Sequence, residues 1–261
     1  MSLRDDAMTL EPTHIVFGGA FDPPHAAHVK CARAGLAAFP KATLIVVPGF
    51  QPAGASNQHK TPVAPFEARS SMCRLAFSSE ATGATQDRIE ISEVERDLPS
   101  PNYTINLLKH LQRRLEAAPT RQSGSLRARP AMLLGQDQMA SFDRWHEPLE
   151  ILKIADLIVC PRMHPATDSR PGLSAADESR ATVKRLNIGI IEQKLDRNRG
   201  HKAAEVLQLA PPFGAIFVLD VPATPISSTA IRTATATNPH SSAASLPGAV
   251  ANYIETNRLY R

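Results

Sequence analysis

Short apolar runs alternate along this chain with longer segments in which apolar residues recur every three or four positions. The runs predict strands and read HIVF (14–17), TLIVV (43–47), RIEI (88–91), AMLL (131–134), DLIVC (156–160) and AIFVLDV (215–221). The intervening segments predict helices at about 25–38, 65–79, 103–117, 174–186 and 246–257. Because near-continuous apolar strands are typical of parallel sheets covered on both faces, the pattern predicts an α/β fold with a doubly wound parallel sheet.

The chain of 261 residues is long enough for one large domain. We expect residues 1–12 to form a disordered tail and residues 13–261 to form a single domain, in which 163–212 is a candidate appended subdomain. The segments 119–130, 161–173 and 233–245 are rich in turn-forming or low-complexity sequence and predict loose structure. In doubly wound folds ligands bind beyond the carboxyl ends of the strands, so the stretches that follow strands are the candidate functional segments.

Composition and charge narrow the class of partner. The net charge is only +4 and aromatic residues make up 5% of the chain, which does not suit a nucleic-acid-binding surface and favours a small anionic substrate. The chain has no apolar stretch of the roughly 18 residues that a membrane helix needs, and MSLRDDAMTLEP does not have the pattern of a signal peptide. Cys31, Cys73 and Cys160 lie far apart in the sequence, which predicts reduced, buried thiols and a cytoplasmic protein.

The stretch GGAFDPPHAAH (18–28) directly follows the first predicted strand. Its two glycines allow a sharp turn and the close approach of a ligand, and Asp22 before Pro23 is typical of a helix N-cap and first helical residue. His25 and His28 then lie on one face of the first helical turn, where free N–H groups and the helix dipole favour an anion. We interpret the stretch as a phosphate-binding site. A glycine turn with two surface histidines and a weak zinc site are the alternatives.

The stretch PISSTAIR (225–232) follows the last predicted strand. Ser227, Ser228 and Thr229 can cap a new helix, and Arg232 lies about one turn further on, where its guanidinium could bind the same anion. Taken alone, the stretch fits an ordinary N-cap with a surface arginine. Two candidate phosphate sites, far apart in the chain and each placed after a strand, favour the phosphate interpretation.

Both stretches resemble motifs of the nucleotidyltransferases built on a Rossmann-like fold, namely GG-[TS]-FDP-x-H-x-GH and an SSTxIR-like string. Further stretches are similar to segments of bacterial nicotinate-nucleotide adenylyltransferases: PNYTINLLKHL (101–111), LLGQDQMASFDRWHE (133–147), ADLIVCPR (155–162), QHK (58–60) and the final YIETNRLYR. The resemblance covers about 14–162 and 213–261. In this chain Ala20 replaces the usual Thr or Ser, Ala27 replaces Gly, and His146 stands where many members have Tyr.

The resemblance implies a role for each matching residue. The implied catalytic residues are His25, His28, Lys60 and Arg232. The implied ATP-binding residues are Gly18, Gly19, Phe21, His25, His28, Gly135, Asp137, Ser228, Thr229 and Arg232, with Asp137 on the ribose hydroxyls. The implied residues for nicotinate mononucleotide are Ala20, His59, Lys60, Tyr103, Thr104 and Trp145, of which the last three would enclose the pyridine ring. Plain core packing for Trp145 and a solvated charge for Lys60 are the alternatives.

The implied reaction transfers the adenylyl group of ATP to nicotinate mononucleotide and forms nicotinate adenine dinucleotide and pyrophosphate, in NAD biosynthesis. The nucleophile is already an anionic phosphate, so alignment and cations suffice and no general base is needed. We expect Mg²⁺ to arrive with ATP, no metal site built by the protein, and a monomer or homodimer. The alternatives are a relative that prefers nicotinamide mononucleotide, a non-catalytic nucleotide sensor, and a metal hydrolase that uses His25 and His28.

Overall fold

The computed structural model of the protein describes residues 12–51, 62–78, 87–117, 129–161, 173–194, 203–222, 224–237 and 243–261. The strands are β1 (His14–Gly19), β2 (Thr43–Pro48), β3 (Ile89–Ile91), β4 (Ala131–Gly135), β5 (Asp156–Cys160), β6 (Ile190–Lys194), β7 (Ala203–Leu209) and β8 (Ala215–Leu219). The α-helices are α1 (Ala26–Ala38), α2 (Phe66–Ser78), α3 (Thr104–Ala117), α4 (Gln136–Met139), α5 (Pro148–Ile154), α6 (Ala175–Arg185), α7 (Ser228–Thr237) and α8 (Gly248–Thr256). The predicted strands and helices are all present, with ends within two residues of those expected.

The strands form one sheet in the order β3-β2-β1-β4-β5-β8-β7-β6. The first six strands of this order are parallel to one another, and β7 is antiparallel to both of its neighbours. The strand order reverses between β1 and β4, which places the topological switch point there. The predicted doubly wound α/β fold is confirmed.

Side chains alternate between two cores, one on each face of the sheet. In β1, Ile15 and Phe17 point to the core that is covered by α1, α2 and α8, whereas Val16 points to the core that is covered by α3, α5 and α6. In β5, Ile158 belongs to the first core and Val159 to the second. Because both faces are covered, an apolar residue is favoured at nearly every strand position, and this explains the continuous apolar runs.

The predicted subdomain at 163–212 contributes α6, β6 and β7, and the two strands extend the same sheet beyond β8. Neither strand was predicted, because IIEQK and AAEVLQL carry polar residues that interrupt an apolar run. The start of α7 was predicted, but α7 continues to Thr237, into a segment that was expected to be loosely structured. Nowhere in the described ranges does a helix combine the length and apolar character that crossing a membrane requires.

Two cysteines correct an expectation from the sequence. A disulfide joins Cys31 of α1 to Cys160 at the end of β5, whose Cα atoms are 6.0 Å apart although they are separated by 129 residues in the chain. The prediction of reduced thiols is therefore wrong for this pair, because the packing of α1 on the sheet brings two distant positions together. Cys73 is a free, fully buried thiol, and burial raises its pKa.

Candidate active site

A cavity of about 540 Å³ lies at the carboxyl-terminal ends of the central strands. Its walls include Gly18 and Gly19 at the end of β1, Gly135 at the end of β4 and Cys160 at the end of β5. The cavity therefore spans the point between β1 and β4 where the strand order reverses. This is the position that the doubly wound topology predicts for a ligand.

Most of the predicted site residues that the structure describes border this one cavity. The lining includes Gly18, Gly19, Ala20, Phe21, His25, His28, Tyr103, Thr104, Gly135, Asp137, Trp145, His146 and Ser228. Thr229 and Arg232 are described but do not line the cavity, although they lie on α7, whose first residue, Ser228, does. His59 and Lys60 lie outside the described residues.

The turn after β1 differs from the expected one. Gly18 and Gly19 are the last residues of the strand, and the left-handed backbone conformation falls instead on Phe21, whose φ is 46°. A Cβ on Gly19 would lie 3.2 Å from the Phe21 ring, so a larger residue there would force this ring to shift. Space beside Gly18 is open, which leaves the backbone there accessible to a ligand.

Asp22 is not the N-cap of α1, in contrast to the prediction, because its carboxylate binds groups from other parts of the chain. The carboxylate accepts hydrogen bonds from the backbone N–H of Val63 at 2.7 Å and of Ala64 at 3.1 Å. Helix α1 begins at Ala26 with His25 as its N-cap. The buried Asp22 side chain therefore fixes the loop before α2 against the turn after β1.

The two histidines lie at the start of α1, but only His28 is in its first turn, because His25 is the N-cap and has an extended backbone, in contrast to the prediction. The backbone N–H of His25 donates to Nδ1 of His28 at 3.2 Å, and the two rings stack with centroids 3.7 Å apart. The Phe21 ring contacts His28 edge-on at 5.1 Å. The imidazoles are thus held at the positive end of the helix dipole, beside the open backbone of β1.

Helix α7 connects the stretch PISSTAIR (225–232) to the stretch GGAFDPPHAAH (18–28). The hydroxyl of Ser227 accepts a hydrogen bond from the N–H of Ala230 at 3.2 Å, which confirms the predicted cap. The hydroxyl of Ser228 donates to the carbonyl of Pro23 at 3.0 Å, and Nη1 of Arg232 donates to the carbonyl of Asp22 at 2.7 Å. The two motifs are about 200 residues apart in sequence and are in direct contact in the structure.

Aromatic rings form a different part of the wall. Tyr103 and His146 stack with ring centroids 4.0 Å apart and an interplanar angle of 24°. Trp145 packs against Phe142, a residue of the second core, with centroids 5.2 Å apart. Trp145 therefore borders the cavity and packs on the second core at the same time.

Asp137 lies in the first turn of the short helix α4, directly after β4. A Cβ on Gly135 would lie only 2.7 Å from Oδ1 of Asp137. Glycine is therefore required at this position for the carboxylate to fold back against the end of the strand. This places a carboxylate at the wall of the cavity that the histidines and the aromatic rings also line.

Several cavity residues were not predicted from the sequence. Oε2 of the buried Glu95 accepts a hydrogen bond from the N–H of Phe50 at 2.9 Å, and burial raises the pKa of Glu95 to about 7. Oδ1 of Asn102 accepts from the N–H of Gln51 at 2.8 Å. Together they fix the loop that follows β2. The signal that could have found Asn102 is its place in PNYT, beside Tyr103, whereas a lone Glu95 after a short strand carries no such signal.

Lys30 and Arg144 also border the cavity. Nζ of Lys30 donates to the carbonyl of Pro222 at 2.7 Å and lies 3.2 Å from Oγ1 of Thr224, which ties α1 to the loop before α7. The Arg144 side chain is 56% exposed and adds a positive charge beside Trp145. Both cations suit an anionic ligand, in agreement with the charge balance of the chain.

The described part of the chain does not bring three or more His, Cys, Asp or Glu side chains together in an arrangement that could hold a metal ion. The carboxylates among the described cavity residues are those of Glu95 and Asp137, which belong to separate elements.

Comparison with known proteins agrees with this geometry. A profile of the cytidylyltransferase-like family matches residues 16–234. The chain is 30% identical over 249 residues to a probable nicotinate-nucleotide adenylyltransferase of Yersinia pestis (strain Pestoides F). This alignment covers 95% of each chain. It is also 30% identical over 247 residues to a protein of the same description from Dechloromonas aromatica, which covers 94% of this chain and 96% of the relative.

Solved structures share the fold at lower sequence identity. The nicotinic acid mononucleotide adenylyltransferase of Plasmodium falciparum, complexed with NaAD, superimposes with a TM-score of 0.61 at 16% identity and covers 95% of this chain and 97% of that one. The same Plasmodium enzyme complexed with APC also gives a TM-score of 0.61, at 14% identity over 95% of this chain and 96% of that one. At these identities the likeness shows the fold alone.

Proposed function

The chain belongs to the nicotinate-nucleotide adenylyltransferases of the cytidylyltransferase-like family, and we propose that its cavity transfers the adenylyl group of ATP to nicotinate mononucleotide. The products are nicotinate adenine dinucleotide and pyrophosphate, and the reaction belongs to NAD biosynthesis. The observation that carries the proposal is the arrangement of one cavity with a phosphate-binding turn, a carboxylate beside a strand-ending glycine, and a separate aromatic wall.

The phosphate end is the part of the cavity formed by residues 18–28 and the start of α7. His25 and His28 bind the ATP phosphates there, together with the N-terminal N–H groups of α1 and the backbone N–H of Ser228 at the start of α7. Open space beside Gly18 supports close approach of the nucleotide to the backbone. Asp137 accepts hydrogen bonds from the ribose hydroxyls, a common task for a carboxylate near a strand-ending glycine.

The pyridine end is the part of the cavity formed by Tyr103, Thr104, Trp145 and His146. The flat faces of Tyr103 and Trp145 enclose the pyridine ring of the mononucleotide. His146 stacks on Tyr103 and thereby supports this wall, which supplies a role for a residue that departs from the usual Tyr. Thr104, the first residue of α3, offers a hydroxyl and a helix N-terminus to the pyridine carboxylate.

The chemistry needs alignment more than acid–base catalysis. The phosphate of the mononucleotide attacks the α-phosphorus of ATP, the new P–O bond forms as the bond to the β-phosphate oxygen breaks, and pyrophosphate leaves with its electron pair. Because the nucleophile is already anionic, no side chain has to remove a proton. The histidines and helix N–H groups stabilise the charge that develops on the phosphoryl oxygens.

ATP would bind as its Mg²⁺ complex, in which the cation would neutralise part of the charge on the phosphates. Arg232 acts from outside the cavity lining through its hydrogen bond to the carbonyl of Asp22, and Thr229 accepts a second hydrogen bond from its guanidinium. His59 and Lys60 are assigned to the phosphate of the mononucleotide by the family motif alone. The partners that we propose are ATP and nicotinate mononucleotide, in the cytoplasm, with the chain as a monomer or homodimer.

A coupled assay of pyrophosphate release tests the function directly. Purified protein with Mg-ATP and nicotinate mononucleotide is expected to release pyrophosphate and form the dinucleotide in equal amounts, as measured by chromatography. The same assay with nicotinamide mononucleotide measures the preference for the acid. Equal or greater turnover with the amide would replace the proposed substrate, and ATP binding without turnover on either mononucleotide would identify a sensor.

A further inference from the structure

Tyr260, near the end of the chain, contacts Asp22 in the turn that precedes the histidines, although the two residues are 238 positions apart in sequence. The hydroxyl of Tyr260 donates a hydrogen bond to Oδ1 of Asp22 at 2.8 Å. Both residues are buried, with 9% of Tyr260 and 3% of Asp22 exposed. Neither residue borders the cavity, so this contact lies behind the wall that carries the proposed phosphate site.

Asp22 is the point at which three parts of the chain meet. Its carboxylate accepts the two N–H groups that precede α2 and the Tyr260 hydroxyl, and its backbone carbonyl accepts Nη1 of Arg232. The same Nη1 lies 3.6 Å from Oδ2 of Asp22. The guanidinium of Arg232 is therefore oriented by Asp22 through both its backbone and its side chain.

The backbone is in the left-handed region at both ends of this contact. Phe21, directly before Asp22, has φ of 46°, and Tyr260 has φ of 66°. Aromatic residues rarely adopt this region, and they keep it only where surrounding contacts determine the conformation. The hydrogen bond between Tyr260 and Asp22 is such a contact, because it ties the two unusual backbone segments to each other.

The tyrosine serves as a permanent hydrogen-bond donor. Burial, together with the neighbouring Asp22 carboxylate, raises the pKa of Tyr260, so the phenol keeps its proton. Without the hydroxyl the buried carboxylate loses one of its donors, and a charge that lacks a donor in a low-dielectric site is strongly disfavoured. Asp22 and the turn attached to it would then relax toward other donors.

We infer that Tyr260 is a positioning residue for adenylyl transfer, acting through Asp22 on the histidine turn and on Arg232. The inference rests on the proposed function for its kinetic readout. Tyr260 touches neither the cavity nor a substrate, so it is not a catalytic residue. Tyr260 affects the positions of the groups on the histidine turn and of Arg232. Misplacement of such groups by about 1 Å can lower the rate by as much as 10²-fold.

The main test compares two tyrosine-to-phenylalanine substitutions. Tyr260→Phe keeps the ring and removes the hydroxyl, and we expect kcat to fall by about 10-fold or more and KM for ATP to rise, with KM for nicotinate mononucleotide unchanged. Tyr253→Phe is the matched control. Tyr253 packs on the same core from α8 but takes no part in the hydrogen bonds that meet at Asp22. Equal kinetic constants for the two variants would overturn the inference.

A double-mutant cycle separates positioning from mere stabilisation. If Tyr260 acts through Asp22 on Arg232, Arg232→Lys should lower kcat/KM for ATP by a smaller factor in the Tyr260→Phe background than in the unchanged protein. Asp22→Asn should show the same pattern as Tyr260→Phe, with a lower kcat, a raised KM for ATP and an unchanged KM for nicotinate mononucleotide. Additive effects of the Tyr260 and Arg232 changes, or a rate loss that matches only the fraction of unfolded protein, would overturn the inference.

A binding measurement distinguishes failure of the positioning role from failure of the proposed reaction. Binding of a non-hydrolysable ATP analogue, measured by calorimetry, does not depend on turnover or on the second substrate. Weaker binding in Tyr260→Phe than in Tyr253→Phe would support the positioning role even if the unchanged protein released no pyrophosphate with nicotinate mononucleotide. Equal binding in the two variants, together with equal rates, would reject it.

Discussion

At the phosphate end of the cavity, backbone groups and buried polar side chains determine the geometry, whereas at the pyridine end stacked side chains do so. Asp22 and His25 are 3% and 4% exposed, and the hydrogen bonds of Asp22 reach three other segments. His146, at the pyridine end, has 47% of its side chain exposed and is supported by one stacked ring and a 3.4 Å contact with Glu147.

This difference matches the tasks that we propose for the two ends of the cavity. Groups that stabilise developing charge must already be in place when the phosphoryl group transfers, because their reorganisation would cost energy at that moment. A pyridine ring that only has to be held can bind to a more adaptable wall of rings, as bases do on aromatic platforms. Changes at the phosphate end should therefore affect kcat, and changes at the pyridine end should affect KM for the mononucleotide.

The largest effect is expected from His28→Ala. Loss of one preorganised donor lowers kcat by about 10²–10³, which corresponds to about 2.7–4 kcal/mol. The same change removes the acceptor for the His25 N–H, which should lower the free energy of unfolding by about 1 kcal/mol. Steady-state kinetics and urea denaturation measure the two effects.

His28→Asn provides the control for that experiment. Its side-chain oxygen can replace Nδ1 as the acceptor for the His25 N–H, so most of the stability should return while kcat stays low. Retention of more than half of kcat in His28→Ala would contradict the assignment. A loss of stability without a loss of rate would show that the histidine only caps the helix.

Reduction of the disulfide between Cys31 and Cys160 tests whether this covalent bond stabilises the phosphate end in addition to the polar contacts. The disulfide closes a long loop, because its cysteines are 129 residues apart, so reduction should lower the free energy of unfolding by about 2–4 kcal/mol. Denaturation with and without a reductant measures the difference. A Cys31→Ser/Cys160→Ser variant should not respond to the reductant, whereas Cys73→Ala should respond as the unchanged protein does. Identical unfolding of the oxidised and reduced protein would show that the bridge contributes no stability.

At the pyridine end, Trp145→Ala should remove stacking worth about 1–3 kcal/mol and raise KM for nicotinate mononucleotide by roughly 5- to 150-fold. KM for ATP should stay nearly unchanged. Trp145 is the only tryptophan, so saturable quenching of its emission by the mononucleotide, with only weak quenching by ATP, gives an independent readout. Trp145→Phe, which keeps an aromatic face, should recover part of the affinity. A normal KM in Trp145→Ala would place the pyridine ring elsewhere.

The smallest effect concerns Glu95, which fixes the loop after β2. Burial raises its pKa from 4.5 to about 7, so in the window between these values the folded protein binds the proton more tightly than the unfolded chain does. Its contribution to stability therefore declines as pH rises through that window. We expect the free energy of unfolding to fall by about 1–3 kcal/mol between about pH 5 and pH 8, relative to Glu95→Gln.

Urea denaturation of the two proteins at each pH measures this difference. The glutamine oxygen can still accept the hydrogen bond from the Phe50 N–H, which makes Glu95→Gln a conservative reference. Burial also raises the pKa of Asp156, but Asp156 is present in both proteins and cancels in the comparison. Parallel pH profiles for the two proteins would show that Glu95 keeps an ordinary pKa.

Local patterns were sufficient for the central sheet and for the histidine turn of the cavity wall, whereas the other predicted wall residues were implied by the family resemblance. A strand covered on both faces must be apolar throughout, so β1, β2, β4, β5 and β8 could be predicted from periodicity. The His25/His28 spacing and the helix that follows are also local, because residues three apart share one helical face. Strands β6 and β7 could not be predicted, since mixed polar and apolar residues satisfy no single period.

The sequence by itself determined the parallel α/β sheet and the histidine pair at a helix start, and its resemblance to a family implied the aromatic residues of the cavity wall. Only the tertiary structure decided which distant groups meet: Tyr260 and Arg232 at Asp22, and Cys31 at Cys160. The physical reason is that hydrophobic periodicity is a property of neighbouring residues. The partner of a buried carboxylate or a thiol depends on how α1, α7 and α8 pack on the sheet.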